Sequence, residues 1–499
     1  MLLRKLKLFA VVLTVMMVSI VVQYMIGVPV EQPVFSTNFD TQGTIYNMDI
    51  TFIEDKMSLK GSQQVLFTNN TGRELENIYF HLYPNIFKCE STAPFEKTDM
   101  DRAYPRGFDP GYIQINSVEK NNSRATYKVM GDDDALLRVT LKEPIKPNKQ
   151  VTLSIKYKVR LPFSMGRMGY GKNTVNMANF FPILSVYDHN GWNLDPYYPI
   201  GDPFYSDISN YRVKVSLPKT YTLATTGNVM NQQERKGNIV YDIEAEQVRN
   251  FAMVASERFD VRSAKASERT TVKSYTIEGI KAEQALQYGV DAITIFNQMI
   301  GIYPYEQLSI AASDFFIGGM EYPNLVIIGK HLYDRDEDFP LEYVIVHEVA
   351  HQWWYGLVGN NEVKEPWIDE ALTEYTTLLY FEKKYGEHIK EQIYEKMTKN
   401  QFENYQDITK NSNDSILRSL DEFDNSFEYS SVVYSRGAMF IEALRNEIGD
   451  ADFFSALRSY YETFKFKNVT TKDFYNVFQQ STDKDLKVLF EEWLETTIE

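Results

Sequence analysis

The chain has 499 residues, 43% of them apolar and 24% charged, with a formal net charge of −16. That length exceeds one hydrophobic core and points to two or three packing units, and the mixed composition excludes a fibrous or disordered chain. The acidic balance argues against nucleic acid as a partner, because phosphate binding needs a concentrated basic surface; the single cysteine, Cys89, excludes an intrachain disulfide and a thiolate metal cluster.

Residues 1–30 carry the first expected element. From Leu8 to Val28 run 21 residues without a charge, long enough to cross a bilayer as one helix. Arg4, Lys5 and Lys7 precede the run and Glu31 is the first acid after it. The positive-inside rule then keeps the N-terminus in the cytoplasm and the rest of the chain outside. The expectation is a single-pass cell-membrane protein that meets membrane lipid through residues 8–28; secretion after signal cleavage is the alternative. Residues 31–45 read as a short polar stalk.

From 46 to 260 the chain reads as strands, among them YNMDITFI, VTLSIKYKV, YRVKVSLP and IVYDIEAE. Each is short, partly alternating and rich in β-branched and aromatic residues, which predicts an antiparallel β domain. Residues 261–499 change character. Apolar residues recur at helical spacing over 281–299, 341–356, 368–385, 388–402, 431–447, 451–463, 471–480 and 485–496. Two short strands, 308–313 and 324–329, lie between the first two of these helices. The expected fold class is multidomain α+β: a transmembrane helix, an antiparallel β domain, then a mainly helical domain with a small sheet.

The chemistry concentrates in LEYVIVHEVAHQWWYGLV, residues 341–358. His347 and His351 stand four apart, so a helix puts both imidazoles on one face, where they can bind one ion. Glu348 flanks that ion and is placed as a base for metal-activated water. A catalytic zinc site takes a third protein ligand and leaves one position open. Glu370 and Glu374 follow in PWIDEALTEY, one turn apart on a helix that Pro366 and Asp369 introduce. Glu374 is suited to orienting a ligand histidine from behind. No third histidine or cysteine lies near, which favours a His-His-Glu set and zinc, one ion per chain.

HEVAHQWW followed by WIDEAL resembles the gluzincin aminopeptidases of the aminopeptidase N and leukotriene hydrolase type. The resemblance implies a thermolysin-like catalytic domain, with His347, His351 and Glu370 as zinc ligands and Glu348 as general base. Gly318-Gly319-Met320-Glu321-Tyr322 is similar to the family's Gly-(Ala or Gly)-Met-Glu-Asn substrate-binding segment, which implies that Glu321 binds the free α-amine of a peptide substrate; Tyr322 replaces the family's asparagine. Tyr434, two residues before the Arg436-Gly437 pair, matches the family's tyrosine and is implied to donate to the oxyanion, with Tyr429 a weaker candidate nearby. The β domain departs from the family at NMANFFPILSVYDHNGW, which lacks the usual glutamine and Ala-Arg pair. The chain resembles a short form without the large helical C-terminal domain. The implied function is a zinc aminopeptidase acting on peptides with a free N-terminus. A zinc endopeptidase or other zinc hydrolase is one rival; a non-catalytic, membrane-anchored binding or assembly protein is the other.

Overall fold

The computed structural model of the protein describes residues 43–410 and 413–495. Among them no helix is long and apolar enough to cross a membrane. The expected anchor, residues 8–28, lies outside the described residues, as does most of the expected stalk. This corrects the expectation of a transmembrane helix, and with it the lipid contact and the single-pass location at the cell membrane. The β domain begins slightly earlier than the expected residue 46, with a strand over Thr44–Ile53.

An eight-stranded sheet forms the first half of the protein. Its central strands show the burial expected of a half-buried sheet: Ser58–Thr68 and Gln150–Arg160 alternate buried and accessible residues along most of their length. The pairing is not wholly antiparallel. Thr44–Ile53 pairs in parallel with Ser209–Pro218, Tyr46 opposite Tyr211, while its other edge pairs antiparallel with Ser58–Thr68. Two four-stranded sheets pack with it around a common core.

The second half opens on a five-stranded sheet, larger than the expected pair. Its order is Phe259–Lys265, Thr271–Ile277, Gln307–Ser313, Leu325–Gly329 and, at the edge, Gly319–Met320. Its two faces serve different cores. Ala311, Leu325, Ile327 and Met320 pack with the β half; Ile310, Ala312, Val326 and Ile328 pack with the helices. The period of two along a strand produces this division.

Three helices dominate the second core: α1 (Ala282–Met299), α2 (Phe339–Ala350) and α3 (Trp367–Tyr385). Pro340 starts α2, where a missing N–H costs nothing. Gly386, at φ 94°, ends α3 in a conformation that glycine adopts freely. Arg249, buried at the junction of the two halves, donates to the carbonyls of Ser206, Tyr355, Leu357 and Lys467 and to the Asn468 side chain. It ties the β half to the loop that follows His351.

Candidate metal centre

α2 is buried almost throughout, and His347 and Glu348 lie in its last turn. His351 caps that helix, its N–H bonded to the His347 carbonyl. The loop 352–366 turns the chain back, and α3 brings Glu370 from its first turn against both histidines. Glu370 Oε2 stands 3.1 Å from His351 Nε2 and 3.6 Å from His347 Nε2. One donor atom from each of the three residues lies within 4.8 Å of the others.

The far sides of the rings are also held. His351 Nδ1 is 3.0 Å from the Trp354 carbonyl and 3.1 Å from the Thr373 hydroxyl. His347 Nδ1 is 3.2 Å from Glu374 Oε2, and Tyr343 donates to the other oxygen of Glu374. The Trp354 carbonyl can only accept, so it places a proton on Nδ1 of His351, and in both rings Nε2 is turned towards Glu370. Glu370 Oε2 is buried and has no hydrogen-bond partner among the described residues. Nε2 of each histidine and Oε2 of Glu370 thus converge in one buried space. Two imidazoles and a carboxylate are the donor set of a catalytic zinc site, and the residues fit one zinc ion.

Electrostatics tell the same story. Burial alone would lower the pKa of His347, but Glu370 and Glu374 hold it up at about 10. Burial would raise Glu370, yet the two histidines pull it down to about 2.

The other side of the centre carries Glu348 and Glu321. Together with His351 they form a second buried group of donor atoms within 4.8 Å. Both groups include His351, which places Glu348 and Glu321 next to the metal ligands. Burial pushes Glu348 up to about 7. Its carboxylate lies over Gly319: a Cβ there would sit 2.1 Å from Glu348 Oε1. Gly318 is not under the same constraint, its nearest neighbour being a Val344 methyl at 3.6 Å. Glu321 is buried, with Oε1 unpartnered among the described residues, and burial followed by the charge of Asp202 raises its pKa well above the usual range. Met320 is buried beside it, touching Arg167 Nε through its sulfur at 3.1 Å.

Tyr434 sits in a π-helical turn, Ser430–Arg436. Gly437 lets this segment approach α3 closely; a Cβ there would be 2.6 Å from that of Ala371. The Tyr434 ring stacks on His347 at 5.8 Å and its hydroxyl donates to Glu370 Oε1. That contact differs from the expected one with a substrate oxygen. Tyr429 is buried with its ring 5.7 Å from Tyr434 and its hydroxyl against Gly201.

Sequence reading missed three residues here. Gln352 donates to the carbonyls of Glu321 and Tyr322 and accepts from Asn324 N–H, fastening the substrate-binding segment to the end of α2. Arg167 and Asp202 form a half-buried ion pair beside Met320 and Glu321. Gln352 adjoins His351 and could have been found; the Arg167–Asp202 pair spans segments with no local signal.

Comparison with known proteins agrees. The peptidase family M1 domain matches residues 284–493, which contain every residue of the centre except Arg167 and Asp202. Over those residues the chain is similar to peptidase family M1. Aminopeptidase M1-A of Oryza sativa subsp. japonica is 26% identical over 47% of this chain and 28% of its own length. Leukotriene A-4 hydrolase of Xenopus laevis is 28% identical over 46% of this chain and 38% of its own. The chain therefore spans about a third of the length of these curated relatives. An M1 zinc metallopeptidase of Deinococcus radiodurans shares the fold, at 18% identity and a TM-score of 0.66 over 92% of this chain and 94% of that one. A mutant of that metallopeptidase has been solved with a Tyr-Ser-Ala substrate and superposes with a TM-score of 0.65 at 17% identity.

Proposed function

We propose that the protein is a zinc aminopeptidase that removes the first residue from peptides with a free N-terminus. His347, His351 and Glu370 hold the ion. When bound, zinc supplies Lewis acidity, polarising a carbonyl and making water acidic enough to attack at neutral pH. Glu348 takes the proton of the attacking water and returns it to the leaving amine. Glu321 accepts hydrogen bonds from the substrate ammonium and so fixes which peptide bond reaches Glu348. Tyr434 in its resting contact keeps Glu370 oriented. Its single hydroxyl proton serves a developing oxyanion only after leaving Glu370.

The observation that carries this reading is Glu321. Peptide hydrolysis needs a metal and a base; it does not need a third buried carboxylate across from the base with an oxygen left unpartnered. A buried unpaired carboxylate is costly, and a substrate ammonium is the cation that relieves it. The tripeptide substrate of the Deinococcus relative supports the same substrate class.

The test compares aminoacyl amides and short peptides with their N-acetylated forms, with and without a chelator. Chelator-sensitive release of the first residue from free-amine substrates alone is the expected result. Internal cleavage of the acetylated peptides would replace the reading with an endopeptidase.

A further inference from the structure

A cavity of about 980 Å3 lies in the β half between the segment 86–100 and Tyr197–Pro199. It has no part in the chemistry above, but two contacts connect it to residues that do. On one wall the Tyr197 hydroxyl accepts from Arg167, whose Nε touches Met320 Sδ. On another, Glu96 Oε1 accepts the backbone N–H of Ser426 at 3.2 Å, at the start of the segment that carries Tyr429 and Tyr434.

The direction of a bound peptide follows from the site. Glu321 receives the amine, and the base, Glu348, lies over Gly319, two residues earlier in the chain. The vector from amine to scissile bond therefore runs from Glu321 towards Gly319, antiparallel to the edge strand Gly319–Met320. Among the described residues that strand pairs only with Leu325–Gly329 and has no strand on its outer side, the arrangement that lets an extended peptide lie along an edge. On that side of Gly319 the chain leads back through the bends at 316–318 to Phe316. The segment 95–102 packs there. The Phe95 and Phe316 rings are 5.4 Å apart, and Arg102 donates to the Phe316 carbonyl. Phe95 and Glu96 line the cavity.

We propose that this cavity receives the part of the peptide beyond the scissile bond and favours a cationic side chain at its third or fourth residue. The inference rests on the aminopeptidase reading. The charge preference comes from the lining, where Glu90, Glu96 and Asp133 face a single cation, Lys97. The volume lies at the upper end of ordinary ligand sites and accommodates a long side chain with its backbone.

The experiment measures kcat/KM on the full chain for Leu-Ala-Lys-Ala, Leu-Ala-Ala-Lys and their glutamate counterparts, beside leucine amide. The expected lysine-to-glutamate ratio is about ten at one of the two positions, since each carboxylate contributes modestly through solvent. Glu90→Gln with Asp133→Asn brings that ratio towards one, and Glu90→Lys lowers it further. These are ratios within one enzyme sample, so a partly unfolded variant does not mimic the effect. A native ratio near one, or a ratio that the variants leave unchanged, overturns the inference while the aminopeptidase reading stands. Failure to release leucine from any substrate overturns that reading instead.

Discussion

Gly319 has no room for a methyl group because the Glu348 carboxylate occupies that space, whereas the adjacent Gly318 meets nothing closer than ordinary contact. The two glycines look alike in sequence and differ in consequence. Gly319→Ala must displace the base and is expected to lower kcat at least about a hundred-fold, in the range of losing general-base catalysis. Gly318→Ala is expected to stay within about three-fold of native, the cost of a surface-type change being small. Steady-state kinetics on leucine amide checks both; equal losses would show that both glycines serve backbone approach of the substrate. At this scale the zinc-binding residues were legible because their spacing is itself the chemistry. Tyr434 was legible by position only. Its hydroxyl pairs with Glu370, 64 residues away, and no local pattern specifies that contact.

The elements that carry the centre are α2, α3 and the π-helical turn. α2 and α3 were readable because apolar residues recur at helical spacing and Pro366 marks a start. The π-helical turn at Ser430–Arg436 was not, since one inserted residue within a continuous apolar pattern leaves the period almost unchanged. In the β half, alternation revealed strands, while the parallel pairing of Tyr46 with Tyr211 joins residues too distant in sequence for any local rule to foresee. Along α3, Glu374 lies one turn after Glu370 and stands behind His347, with Tyr343 holding its other oxygen. Glu374→Ala is expected to weaken zinc affinity by about ten- to a hundred-fold. Competition with a chromogenic chelator measures it; unchanged affinity would reduce Glu374 to a packing residue.

For the whole molecule, two cores meet at one sheet, and the centre lies where they join. The β half supplies Arg167, Asp202 and the Arg249 clamp, and the helical half supplies the ligands and base. In the metal-free fold, Glu370 and Glu374 overcome burial to hold His347 protonated up to about pH 10, and Glu370 does the same for His351. Folded values above the unfolded ones add stability that is complete below about pH 6.5 and is lost as pH rises through the folded values. Zinc replaces those protons. Its binding is therefore expected to release protons, and its apparent affinity to rise with pH between about 6 and 8. Calorimetry in buffers of different ionisation enthalpy reports the release; zinc uptake without proton release would mean that the imidazoles are already neutral.

In the proposed mechanism labour is divided: three side chains hold the ion and Glu348 performs the proton transfer. Turnover per bound zinc in Glu348→Gln measures that division directly. The expected variant binds one zinc per chain and turns over about a thousand-fold more slowly than native. Native-like turnover per zinc would contradict it.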